Sequence, residues 1–124
     1  MNLYWGLIES VCEEINIYDG PDVFLETFNK VPLKAGLLYA AYFCQFEVCN
    51  GGFNQFFSNN TGVLAPEAVR GLRAIEQNQI ADLVEKAMNS FGNEYPRDRE
   101  LRAALCSPVF IMELLMISKS IFLH

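Results

Sequence analysis

From Leu3 to Ile15 the apolar residues Leu3, Leu7, Ile8, Val11 and Ile15 recur at helical spacing, while Glu9, Glu13 and Glu14 fall away from that stripe. The chain is therefore predicted to open with a helix that has one wet, acidic side. Asp19-Gly20-Pro21-Asp22 reads as a turn, with Asp22 as N-cap of a short second helix lined by Val23, Phe24 and Phe28. Val31-Pro32 ends that helix, and Pro32 suits the first turn of the next, where its missing N–H costs nothing. Between Leu33 and Cys49 the sequence is apolar nearly all round, with Leu37, Leu38, Tyr39, Ala41, Tyr42, Phe43 and Phe46 leaving little polar face. Such a helix belongs at the centre of a fold. Asn50-Gly51-Gly52 is predicted to stop it with a residue at positive φ, which Gly adopts freely. A short helical segment through Phe53, Phe56 and Phe57 then lays aromatics back onto the core, before Asn59-Asn60-Thr61-Gly62 turns the chain again.

Pro66 and Glu67 open the next helix in the positions that the unpaired backbone donors and the dipole favour, with Ala68, Val69, Leu72 and Ile75 facing inward. Asn78 reads as the cap of a further helix whose stripe, Ile80, Leu83, Val84, Ala87, Met88 and Phe91, follows the 3.6-residue period. Gly92 to Pro96 is a loop, Asp98 to Cys106 a short charged helix, and Ser107-Pro108 starts a last apolar segment that runs to His124. No segment alternates with period two between hairpin turns. The fold class is therefore all-α, a single-domain helical bundle over residues 1–124 with about six or seven helices.

Composition narrows the chemistry. At 124 residues the chain is long enough to bury about two thirds of the surface its unfolded form exposes, so neither a disulfide nor a metal is needed to hold it together. The four cysteines form no C-x-x-C pair, and the closest two, Cys44 and Cys49, stand five apart in one predicted helix, which is neither a zinc nor a redox spacing. His124 is the only histidine, which excludes a histidine-based triad and a two-histidine metal site. No metal or cofactor is expected. The longest apolar runs fall short of the roughly 18 residues of a membrane span, and Glu9 interrupts the first of the runs that a secretory signal would need. Together with free thiols this points to the cytoplasm.

Charge is where the chain is asymmetric. Of a net charge of −6, all belongs to the first 29 residues, which hold Glu9, Glu13, Glu14, Asp19, Asp22 and Glu26 and no Lys or Arg. Such a field argues against nucleic acid or an anionic membrane as a direct partner, and for a basic protein partner. These six carboxylates are the candidate partner face.

The candidate chemistry elsewhere is concentrated between Phe46 and Gly62. Cys49 abuts the glycines, but no base is recognisable beside it, and a cysteine there packs as a small hydrophobe. Glu47 and Glu76 are candidates for a carboxylate pair, against the usual fate of a lone Glu as a solvated residue or a cap. Asn50, Asn54, Gln55, Asn59 and Asn60 either line a ligand pocket or satisfy the helix ends left open by the turns. Phe53, Phe56 and Phe57 lack the basic groove that base stacking requires, and Gly51-Gly52 lacks the lysine of a phosphate loop.

The run Glu47-Val48-Cys49-Asn50-Gly51-Gly52-Phe53-Asn54-Gln55-Phe56-Phe57, continued by Asn59 and Gly62 and later by Tyr95-Pro96-Arg97-Asp98-Arg99, resembles the bacterial DNA-mimic protein C-terminal domain family. That family is helical and otherwise of unknown function. The likeness spans residues 33–102, and its motif positions Asn50, Gly51, Gly52, Phe53, Gln55, Phe56, Asn59 and Gly62 read as a mainly structural turn. The resemblance implies an all-α domain and, as in the founding member, an acidic surface that stands in for DNA on a helix-turn-helix regulator. Duplex DNA carries about one charge per 1.7 Å of axis. Glu9 and Glu13, four residues apart on a helix, lie about 6 Å apart along it, near the spacing of one strand.

The C-terminus departs from the family's pattern. Where members finish with an acidic and aromatic segment, this chain has Glu113-Leu114-Leu115-Met116-Ile117-Ser118-Lys119; codons for Leu-Met-Ile-Ser can be read in a shifted frame as Asp-Asp-Lys, which makes a frameshift the hypothesis for this tail. Residues 107–124 are then atypical, apolar and prone to association, which keeps a homodimer among the expectations. Two functions stay open on the sequence. One is an interaction protein offering its acidic end to a basic regulator. The other is a small-molecule or peptide binder, conceivably an enzyme, using the amides of residues 50–59. The first, with no enzymatic activity, is the expectation.

Overall fold

The computed structural model describes Gly6, Glu9, Val11, Cys12 and residues 20–105, and every regular element among them is helical. Gly6, Glu9, Val11 and Cys12 are helical, and Val11 is buried in the core. Five α-helices follow: α1 (Pro21–Phe28), α2 (Leu33–Ser58), α3 (Ala65–Ala74), α4 (Asn78–Asn89) and α5 (Arg99–Leu105), with a 3₁₀ turn at Asn60–Leu64 between α2 and α3. The apolar C-terminal segment, with its frameshift reading, lies outside the described residues.

Helix α2 is the longest element, α3 packs along it and α4 packs on α3, and small residues let α2 and α3 come close. Ala35, Gly36, Ala40 and Ala41 are buried along it, Gly36 under Phe28 and Val31 and Ala41 against Gly71 of α3, where Ala65, Ala68 and Leu72 are buried as well. The closest approach is at Gly71, where an added Cβ would run into the Leu37 carbonyl oxygen. No side chain fits between the two backbones there. Helix α4 returns along α3 with Ala81, Val84 and Ala87 fully buried, so three thin layers share one core. Phe57 joins that core to the loop beyond α4, with its ring 5.2 Å from Phe91 and 6.1 Å from Tyr95.

Several predicted boundaries move. The central helix does not end at Asn50-Gly51-Gly52. Its hydrogen bonding continues to Ser58, and only Gly52 leaves helical geometry, at φ 77° and ψ −177°. One residue at positive φ is enough to redirect the axis without a loop, so the predicted turn is a kink inside α2. Gly51 is helical and serves differently: the Gln55 side chain lies where its Cβ would be. Asp22 is not an N-cap, because Gly20 holds that place at φ 94° with Pro21 after it, and Asp22 sits in the first turn, where a negative charge meets the dipole. Pro32 precedes α2 instead of entering it, and Asn78 is the first helical residue after the cap Gln77. In α5 Asp98 is the cap, its Oδ2 accepting the Leu101 N–H at 3.0 Å.

The link between α3 and α4 carries one strained residue. The Gln77 N–H reaches the Leu72 carbonyl at 2.8 Å and the Glu76 N–H reaches the Arg73 carbonyl at 3.1 Å, a helix ending that calls for a left-handed residue between them. Glu76 occupies it at φ 63°, where glycine is the usual choice. Glu76→Gly is therefore expected to raise stability by about 1 kcal/mol in urea unfolding, since an L-residue in this region costs about 1–2 kcal/mol and glycine returns part of that as entropy.

Candidate functional site

The kink at Gly52 folds the second half of α2 so that residues 8, 12 and 14 positions on reach back to Glu47. Gln55 Nε2 donates to Glu47 Oε2 at 2.6 Å, Asn59 Nδ2 donates to the same oxygen at 3.0 Å, and Thr61 Oγ1 donates to Oε1 at 3.3 Å. Asn50 Nδ2 extends the chain to Gln55 Oε1 at 3.4 Å. Glu47 is only 9% exposed, and a carboxylate that deep is tolerable when its lone pairs are met by well-aligned donors. The predicted pairing of Glu47 with Glu76 does not occur: Glu47 is spent on three neutral donors, while Glu76 is exposed at the end of α3.

The amides were expected either to line a pocket or to satisfy helix ends. Gln55 and Asn59 do neither, because they converge inward on Glu47. The open end of α2 is satisfied by arginines instead. Arg102, fully buried, donates from Nε to the Phe57 carbonyl at 2.9 Å, from Nη2 to the Asn59 carbonyl at 2.9 Å, and from Nη1 to the Pro96 and Arg97 carbonyls at 3.2 and 2.6 Å. Arg99 Nε donates to the Ser58 carbonyl at 2.7 Å. Two cations therefore stand where the helix dipole is negative.

The neighbouring residues fix the 3₁₀ turn in the same way. Tyr95 Oη donates to the Gly62 carbonyl at 2.6 Å, and Arg97 donates to the Val63 carbonyl while gripping Glu67 through both terminal nitrogens at 2.6 and 3.1 Å. Gly62 is needed for close approach: a Cβ there would lie 2.9 Å from the Phe56 carbonyl and 3.0 Å from Arg102 Nε. The two separated motifs in the sequence, Asn50 to Gly62 and Tyr95 to Arg99, are thus two sides of one clasp. Phe53, Phe56 and Phe57 are buried beneath it, so they are core side chains and not a stacking platform.

Cys49, the nucleophile candidate, is exposed and does not pack as the small hydrophobe expected of it, because it lies on the outer side of α2 just before the kink. Cys44 is completely buried, and its burial, followed by Cys49 and Glu47 nearby, pushes the thiol far above its ordinary range. Burial likewise raises the Tyr95 phenol, against the lowering effect of Arg102 and Arg97. Cys12 and Cys49 are exposed. Among the described residues no group of three or more His, Cys, Asp or Glu is placed to hold a metal ion, and His124 and Cys106 lie outside them. No described helix is long and apolar enough to cross a membrane.

Of the six acids of the N-terminal region, Glu9, Asp22 and Glu26 are described and all three are exposed, while Glu13, Glu14 and Asp19 lie outside the described residues. Asp22 and Glu26 stand four apart on α1, hence on one face and about 6 Å apart along its axis. The sequence did not single out Arg102 or the burial of Glu47. The one available signal for Arg102 was its register, three residues after Arg99 and four after the cap Asp98, on a helix otherwise too short to need three charges.

Comparison with known proteins agrees with this clasp in its extent. No curated protein and no solved structure matches the chain. A family model described as DMP19-like protein matches residues 29–114, a span that contains α2, the 3₁₀ turn and every residue of the clasp from Glu47 to Arg102. With more than half of the chain matched, this protein belongs to the DMP19-like protein family.

Proposed function

We propose that this protein is an acidic interaction protein of the DNA-mimic kind, which presents its N-terminal carboxylates to a basic, DNA-binding regulatory protein of the helix-turn-helix type. The observation that carries the reading is the charge asymmetry in a chain of a DNA-mimic family: six acids and no base in the first 29 residues, with Glu9, Asp22 and Glu26 exposed to solvent. Carboxylates set four apart on a helix repeat at about 6 Å, close to the phosphate spacing along one strand, and so offer a DNA-binding surface the charges it is built to meet. Catalysis has no place in this reading. The alternative, a ligand site at residues 50–59, loses its main support because Gln55 and Asn59 are turned onto Glu47 and not toward an open pocket. Capture from host lysate by the parent chain and by the triple variant Glu9→Gln, Glu13→Gln, Glu14→Gln tests the proposal. The variant is expected to lose the partner, and duplex DNA is expected to displace it from the parent.

A further inference from the structure

A second face of the molecule has the opposite chemistry. Between the first turns of α2 and the end of α3 lies a hollow of about 200 Å³ lined by Lys34, Leu37, Leu38, Gly71, Ala74 and Ile75. Leu37 also lines an adjoining hollow that reaches Leu33 and Arg70, and Leu33 is among the most exposed large apolar side chains described. The floor of this groove is rigid, because Gly71 brings α3 onto the α2 backbone directly beneath Leu37.

Glu67 also lines the adjoining hollow but is held by Arg97, and the charges left over at the rim are cationic. Arg73 is held by Asp82 at 2.9 Å and Glu85 at 3.6 Å, Arg97 by Glu67, and Arg99 and Arg102 by backbone carbonyls. Lys34 and Arg70 are exposed, and among the described residues neither has a carboxylate within 4.0 Å. In a chain of net charge −6, two free cations flanking an apolar floor are a local reversal of sign.

We propose that this groove docks an acidic amphipathic helix of a partner protein, with its apolar side chains on Leu37, Leu38, Ala74 and Ile75 and its carboxylates over Lys34 and Arg70. Helices laid into apolar grooves bind through anchors three and four residues apart, and flanking charges select among them. The basic partner proposed for the acidic end would be repelled here, so the two faces select different chemistry. The chain's own acidic helix is not the occupant, since Val11 of its apolar stripe is already buried in the core.

The test uses a fluorescein-labelled amphipathic helix of Leu and Glu, about 15 residues long so that it is helical in water, and a Leu and Lys counterpart. Anisotropy titrations are made with the parent, with Lys34→Glu/Arg70→Glu, and with Ala74→Trp, which fills the groove without changing charge. These positions are exposed, and thermal melts followed by circular dichroism confirm that each variant folds. The Leu/Glu helix is expected to bind the parent saturably and to lose about tenfold or more in affinity in both variants. The Leu/Lys helix is expected to be insensitive to Ala74→Trp and to bind less tightly when Glu9, Glu13 and Glu14 are changed to Gln. Absence of saturable binding of the Leu/Glu helix, or binding unchanged in both groove variants, overturns the proposal. So does concentration-dependent self-association that Lys34→Glu/Arg70→Glu abolishes, which would assign the groove to a second copy of the chain. The outcomes with the Leu/Glu helix do not bear on the acidic end, which the Leu/Lys helix probes separately.

Discussion

Replacing Arg102 by Met is expected to cost about 3–5 kcal/mol, enough to unfold a large fraction of a domain whose total stability is about 5–15 kcal/mol. The guanidinium is fully buried and donates to four backbone carbonyls, at Phe57, Asn59, Pro96 and Arg97. A hydrogen bond to a charged group is worth about 1.5–3 kcal/mol, and a buried acceptor left without its donor costs about 1–3 kcal/mol more than a neutral exchange. These do not add, because the carbonyls share one cation, but removal leaves the end of α2 and the loop from Tyr95 with no common anchor. Lys in the same place keeps the charge and fails on geometry, since an ammonium is a point donor while the fork of Arg reaches acceptors on several sides. Both variants should therefore show sharply lowered urea midpoints, with Lys recovering a minor part. A midpoint unchanged in Arg102→Lys would mean that charge alone, and not the fork, closes the clasp.

Gly52→Val is expected to be the other severe change. At φ 77° and ψ −177° the residue sits in a region that only glycine occupies freely, and forcing an L-residue into it costs about 1–3 kcal/mol. A β-branched side chain adds its own restriction, and Gly52 is buried, so the two methyls also need space in a packed interior. A total loss of about 3 kcal/mol or more follows, against about 1 kcal/mol for glycine replaced at an ordinary helical site. Gly51 differs in mechanism. It is helical and exposed, so in Gly51→Ala the amide end of Gln55 swings away at the expense of its bond to Glu47, while the Gln55 Cβ, 2.8 Å from the added Cβ, yields only with the backbone. Thermal melts of the two variants separate backbone strain at Gly52 from side-chain crowding at Gly51.

The parts of this fold that could be read from the sequence are those whose causes are local. The stripe Ala68, Val69 and Leu72 on α3 is inward, with Ile75 just past its end, and so are Val84 and Ala87 of α4, with Phe91 just past it, because on an amphipathic helix the period alone identifies the buried face. Pro66 at the start of α3 works for the same reason. Helix α2 defeats this logic. It is apolar nearly all round, so hydropathy assigns no face, and the outcome is that Phe46 stays 55% exposed while its charged neighbour Glu47 is buried. What buries Glu47 is a set of donors beyond the kink, and what buries Arg102 is a pair of carbonyls 43 and 45 residues away. Neither relation has a periodicity to detect. The resemblance located both halves of the clasp as motifs, but only the folded chain brings them into contact. The amides misled for a related reason: Asn and Gln carry donors and acceptors that suit a ligand equally well, and a buried carboxylate on the same chain had the prior claim.

The proposed binding of a basic regulator to the carboxylates of the N-terminal region is tested most directly by its salt dependence. Changing Glu9, Glu13 and Glu14 to Gln removes three negative charges while keeping helix propensity nearly constant, so a loss of affinity reports electrostatics and not folding. Exposed charges are screened beyond about 8 Å at physiological ionic strength. The affinity of the captured partner, measured by calorimetry from low to physiological salt, is therefore expected to fall steeply for the parent, and to be weaker with a shallower slope for the triple Gln variant. Equal affinity for parent and variant, with no dependence on salt, would contradict the proposal.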